Sequence, residues 1–327
     1  MSSQQAALQR ALTIRLNLQI SLAAVPMIEE WMDLPLTRWL ESVPSPPEMP
    51  SGHEAQFAVT LASDLSRLTW GAYGNPAGFI PKMARYLESC RIGPEDVALI
   101  DALGNGLEPS LVGSWVRAQA GAVHTGWQFC DAHRFDAIQE QFGDHDAKAK
   151  LVAWLERAGI ERFERFEQTI GDAANSRIEF AIPGADIDAQ LAALSGGFEA
   201  LAGAPLADAV ATSFRHAANP ALRIGVDISG GDIAKVSAIC PGLGNDVISE
   251  LCDALGLTLA ESHAPLQGSF GVAAPEAAVY TRQLADASAA TAGEDPAAAT
   301  AGEEPKDLID LIIVPTGSGG MPPNQRN

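Results

Sequence analysis

Between residues 222 and 229, Leu222, Ile224, Val226 and Ile228 alternate with Arg223, Gly225, Asp227 and Ser229. A period of two is that of a strand with one apolar and one polar face. Gly230-Gly231-Asp232 supplies the positive-φ positions of a tight turn, and residues 233–240 read back as a partner strand carrying Lys235 and Ser237. The same signature recurs along the chain. In residues 53–62, Phe57, Val59 and Leu61 oppose Glu54, Gln56, Ala58 and Thr60; Ser63-Asp64 turns the chain and residues 67–73 return. Residues 111–118 and 123–130 pair about Gln119-Ala120-Gly121, 163–170 and 177–182 about 171–175, and 267–272 and 277–282 about Pro275. Five hairpins are predicted.

Helical spacing fills the intervals, over residues 11–25, 78–91, 94–103, 135–159, 187–215 and 245–255, with breaks expected near Gly196-Gly197 and Pro205. Ten antiparallel strands with interspersed helices predict an α+β fold, not the β-α-β alternation of a parallel sheet. If the sheet closes into a barrel, the apolar faces pack on the helices and the polar faces line the lumen. A polar lumen is a binding cavity, not a packed core.

Composition narrows the partners. The 327 residues carry a net charge of −20, so the general surface does not suit nucleic acid. Cys90, Cys130, Cys240 and Cys252 show no CxxC spacing and read as reduced thiols of a cytoplasmic protein. No run approaches the roughly 18 apolar residues of a membrane span, and no membrane partner is expected. His124, Asp131 and His133 lack a second ligand pair, so no protein metal site is predicted. Residues 286–306 are Ala/Gly/Glu/Pro-rich and read as a disordered linker behind a folded unit of residues 1–285. Residues 307–327 then read as a tail motif that docks a partner or frays.

Four segments, EAQFAVTLASDLSR, NSRIEFAIPGADID, LRIGVDISGGDIAKVSAI and GSFGVAAPEAAVYTRQL, resemble in the same order the hairpins of the ABBA-type prenyltransferases. Among these the chain is most similar to the peptide prenyltransferases of cyanobactin biosynthesis. The resemblance spans roughly residues 10–285 and implies a ten-stranded barrel of five ααββ repeats. It also implies a natural-product enzyme that moves a prenyl group from an allylic diphosphate to a peptide or aromatic acceptor. On that resemblance Glu54 is the catalytic carboxylate that orients the acceptor. Arg67, Arg177, Arg223, Lys235 and Arg282 hold the diphosphate, with Mg²⁺ as the implied cofactor, and Tyr73 and Tyr280 shield the allyl cation. The residue types suit the chemistry, because a diphosphate needs several cations and an allyl cation needs aromatic faces.

The chain also departs from the family pattern. It has only three tyrosines, where the family lines its barrel with several; Trp70, Trp115 and Trp127 are the candidates to replace them. Ala238-Ile239 stands where the family has a tyrosine, and Ala58 where it has a cation. The alternative expectation is therefore a non-catalytic barrel that binds peptides in such a pathway.

Overall fold

The computed structural model describes residues 56–89, 107, 109–119, 122–142, 145–170, 172–218, 221–261, 263–269, 272–284 and 306–314. Ten strands close into one antiparallel barrel: β1 (Gln56–Ala62), β2 (Arg67–Gly74), β3 (Leu111–Gln119), β4 (Ala122–Arg134), β5 (Arg162–Thr169), β6 (Asp172–Ala181), β7 (Arg223–Ser229), β8 (Asp232–Pro241), β9 (Ala277–Gln283) and β10 (Lys306–Ile313). Each strand pairs with its neighbours in sequence, and β10 closes the ring by pairing with both β9 and β1. The expected α+β barrel with helices around it is the observed architecture.

Helices connect the hairpins at one end, here the helix end; the tight turns lie at the other, the turn end. They are α1 (Pro76–Ser89), α2 (Asp146–Ala158), α3 (Ile187–Ala202), α4 (Asp208–Phe214), α5 (Asn245–Ala254) and α6 (His263–Ser269). Caps set the bounds of α3: the Asp186 carboxylate accepts from Ala189 N at 2.8 Å, and Gly203 leaves at φ 75°. Gly196 and Gly197, expected to interrupt the helix, stay within it; the break comes at residues 203–207. The expected helix over 135–159 begins instead as two short 3₁₀ turns, Phe135–Ala137 and Gln139–Phe142, before α2. The β7–β8 turn is as expected, with Gly230 at φ 59° and Gly231 at φ 92°.

The core is a shell between barrel and helices. Trp70, Trp127, Phe129, Phe166, Ile178, Phe180, Ile224 and Val226 face outward and are buried, packing with Trp154 of α2 and Phe198 of α3. Trp127 meets Phe129 and Phe166 edge-on, with centroids 4.8 and 5.8 Å apart.

The fifth hairpin differs from expectation. Residues 263–269 are helical, and the partner of β9 is β10, so residues 307–313 belong to the barrel and not to a tail motif. Its sequence KDLIDLII conceals the alternation because both faces of the strand carry apolar residues. Ile309, Leu311 and Ile313 pack into the outer shell, while Ile312 joins Ile239, Ala277 and Val279 in a separate apolar cluster inside the barrel. The expected linker, up to residue 305, lies outside the described residues, as do residues 11–25, 94–103 and 315–327.

Candidate functional site

Strand parity turns a charged band into the lumen. From successive strands come Arg67 and Tyr73 (β2), Trp115 and Arg117 (β3), Gln128 (β4), Arg165 and Glu167 (β5), Arg177 and Glu179 (β6), Asp227 (β7), Lys235 (β8) and Asp310 (β10). Cross-strand register makes the band continuous: Gln128 faces Glu167, Glu167 faces Arg177, Arg177 faces Asp227, and Asp227 faces Lys235. With Arg223, six cations surround four carboxylates among the described residues. An acidic protein thus keeps an excess of positive charge inside its barrel.

Most of these cations are already engaged. Arg67 pairs with Asp310. Arg177 donates to Asp227 at 2.6 Å, to Glu179 at 3.0 Å and to the Ser237 hydroxyl at 3.2 Å. Arg223 and Arg165 also approach Glu179, at 3.5 and 3.8 Å. Burial opposes ionisation of Glu179, but Arg165, Arg177 and Arg223 outweigh it and hold the carboxyl at about 2. Glu167 stands apart: burial pushes it up, and its one ion pair among the described residues, to Arg165 at 3.4 Å, only partly compensates.

Two of the lumen cations have no ion-pair partner among the described residues. Arg117 donates to Thr69 Oγ1 at 3.1 Å and lies 4.6 Å over the Trp115 ring. Lys235 is half-buried and its pKa is lowered, first by burial. Both border an inner chamber of about 100 Å³ and a chamber of about 280 Å³ toward the turn end. Trp115, Arg117, Glu167, Arg177, Asp227 and Lys235 line both chambers and form a waist between them. Two glycines make room for the waist. A Cβ on Gly126 would stand 2.1 Å from the Trp115 ring, and one on Gly225 would stand 2.4 Å from the Arg177 guanidinium.

Of the residues expected from sequence, Arg67, Arg177, Arg223, Lys235 and Tyr73 turn into the lumen. Tyr73 is buried there with Arg165 5.6 Å from its ring, and burial pushes its hydroxyl up to about 12. Tyr280 and Arg282 do not join them. They lie on the outward parity of β9, whose inward face carries Ala277, Val279 and Thr281. Tyr280 stacks on Phe198 with centroids 5.8 Å apart and donates to Asp307 at 2.9 Å; Arg282 donates to the Tyr280 hydroxyl at 2.9 Å and to Pro205 O at 3.0 Å. Both are therefore fixed in the helix shell. Trp115 is a lumen aromatic, whereas Trp70 and Trp127 belong to the shell. Glu54 and Cys90 lie outside the described residues. Arg117, Arg165, Glu167 and Glu179 were missed, although each shares the parity of an expected lumen residue or a polar neighbour on its strand.

The implied Mg²⁺ does not fit the side chains present. Each lumen carboxylate faces a guanidinium, and among the described residues no three His, Cys, Asp or Glu side chains converge as a metal site. Cys130, Cys240 and Cys252 are free and buried, and no described helix is long and apolar enough to cross a membrane.

The architecture recurs in solved structures. AnaPT of Neosartorya fischeri aligns over 93% of this chain and 92% of its own, with TM-score 0.61 and 11% identity. A 6-dimethylallyltryptophan synthase of Micromonospora olivasterospora, solved with DMASPP and Trp, aligns over 93% and 96%, with TM-score 0.60 and 10% identity. The chain has the ABBA prenyltransferase fold. A 5-dimethylallyltryptophan synthase of Streptomyces coelicolor shares this ABBA barrel at TM-score 0.54 and 8% identity, over 95% and 97% of the two chains. No family model matches the sequence. A PH domain-containing protein of Dictyostelium discoideum is 23% identical over 222 residues, 66% of this chain; the chain spans 48% of that relative's length.

Proposed function

We propose that this protein transfers an allylic prenyl group from a diphosphate donor to an aromatic acceptor. The observation that carries the reading is the pair Arg117 and Lys235, both without a carboxylate partner among the described residues and both set at the waist, with Arg117 over the Trp115 ring. An incoming diphosphate supplies the anion these cations lack, with Arg67, Arg177 and Arg223 as the surrounding positive field. Trp115 and Tyr73 offer π faces to a developing allyl cation. Glu54 orients the acceptor, and the acceptor is a tryptophan or tyrosine side chain of a short peptide, processed in the cytoplasm in a natural-product pathway.

The test is incubation with dimethylallyl or geranyl diphosphate and a pool of tryptophan, tyrosine and short Trp/Tyr peptides, read by mass. A gain of one prenyl unit, diminished in Glu54→Gln, supports the reading. Arg117→Ala and Lys235→Met are each expected to weaken DMASPP binding roughly ten- to hundredfold, the worth of a charge-assisted contact. Binding of the peptides without binding of any allylic diphosphate overturns it in favour of the non-catalytic peptide-binding barrel, which the pairing of Arg67, Arg177 and Arg223 with internal carboxylates would then explain.

A further inference from the structure

We infer that Glu167 is the group that receives the proton displaced from the aromatic acceptor, a catalytic residue distinct from Glu54. The inference rests on the prenyl-transfer reading and adds a step to it. Aromatic prenylation breaks the donor's C–O bond, and the diphosphate leaves with the electron pair. A C–C bond forms between the allylic carbon and a ring carbon, and that ring carbon's proton must then depart so that its C–H electrons restore aromaticity. The proton needs an acceptor inside the barrel, away from water.

Four carboxylates face the lumen among the described residues, and geometry separates them. Asp310 is taken up by Arg67, Asp227 by Arg177 at 2.6 Å, and Glu179 by Arg177 at 3.0 Å with Arg223 and Arg165 behind it. The guanidinium groups around Glu179 hold its carboxyl low and make it a weak base, and the Asp310 and Asp227 carboxylates are committed to guanidinium partners. Glu167 has one looser partner, Arg165 at 3.4 Å, and is only 8% exposed. It also borders both chambers, as do Trp115 and Lys235. The charged groups that act on it are Arg165 on its own strand, Glu179 and Arg177 on β6, and Arg117 on β3, with Gln128 opposite on β4. Burial raises its pKa above the ordinary carboxylate value, which makes it a stronger base than Glu179 when ionised.

The experiment measures turnover of the full chain against pH, with dimethylallyl diphosphate as donor and the best acceptor from the peptide and amino-acid pool. DMASPP binding is measured in parallel. Wild-type kcat should fall as acidity protonates Glu167. Glu167→Gln should lower kcat on the order of a hundredfold, lose that acid limb and keep DMASPP affinity within about threefold; Glu167→Asp should recover part of the rate with the limb restored. Unchanged kcat in Glu167→Gln overturns the inference and leaves the prenyl-transfer reading standing. A parallel loss of kcat and DMASPP affinity with the acid limb intact also overturns it, since that is the behaviour of a structural or donor-binding group. Absence of any prenylated product from the wild-type chain overturns both.

Discussion

Glu167 and Glu179 sit on neighbouring strands, both buried, and titrate in opposite directions. Glu179 is held at about 2 in the folded chain against an ordinary 4.5. A depressed carboxyl contributes stability that is complete above 4.5 and is lost as pH falls toward 2. Glu179→Gln should therefore cost about 3–5 kcal/mol at neutral pH, as when one member of a buried ion cluster is removed, and should flatten the acid limb of the unfolding curve between pH 4.5 and 2. Glu167 is raised instead, so it costs stability as pH rises above 4.5, and the loss is complete once pH exceeds its folded value. Glu167→Gln should leave Tm at pH 7 unchanged or higher, because Arg165 keeps Glu179 as a partner. Thermal melts of the two variants from pH 3 to 8 check both signs; a loss of Tm in Glu167→Gln matching that of Glu179→Gln would refute the contrast.

At the scale of elements, legibility followed the contrast between a strand's two faces. β7 reads clearly because Ile224, Val226 and Ile228 meet the helix shell while Arg223 and Asp227 meet the lumen. β9 misled because its inward wall is small and apolar, so its more polar face, with Tyr280 and Arg282, is the outward one. β5, RFERFEQT, has charge on both parities, and only register with β4 and β6 assigns Arg165 and Glu167 to the lumen. The partners of the expected cations were illegible for the same reason: Arg67 and Asp310 are 243 positions apart. β10 carries a direct prediction. A chain ending at residue 305 loses the strand between β1 and β9, exposing two edges, and should aggregate or melt without a cooperative transition. A chain ending at residue 314 should retain the wild-type melt. A native-like melt from the shorter chain would contradict closure by β10.

For the whole molecule, stability and binding lie on opposite sides of one sheet. The apolar shell outside the barrel supplies the packing, and the charged lumen supplies the ligand contacts. Trp154, 3% exposed on α2 and edge-on to Phe180 at 5.9 Å, belongs to the first. Trp154→Ala should cost about 3–5 kcal/mol in urea unfolding with DMASPP affinity intact in the folded fraction. Lys235→Met should do the reverse. Coupled losses in both variants would mean that shell and lumen are not separable.

The ring is also a matter of timing. Because the strand that joins β1 to β9 is encoded last among the ten, nine strands emerge from the ribosome before the cylinder can shut. Throughout that interval β1 and β9 offer unpaired backbone to any neighbouring nascent chain. The buried charges of the lumen stay open to water until residues 306–313 arrive, so the barrel seals its charged interior only once its last strand has emerged.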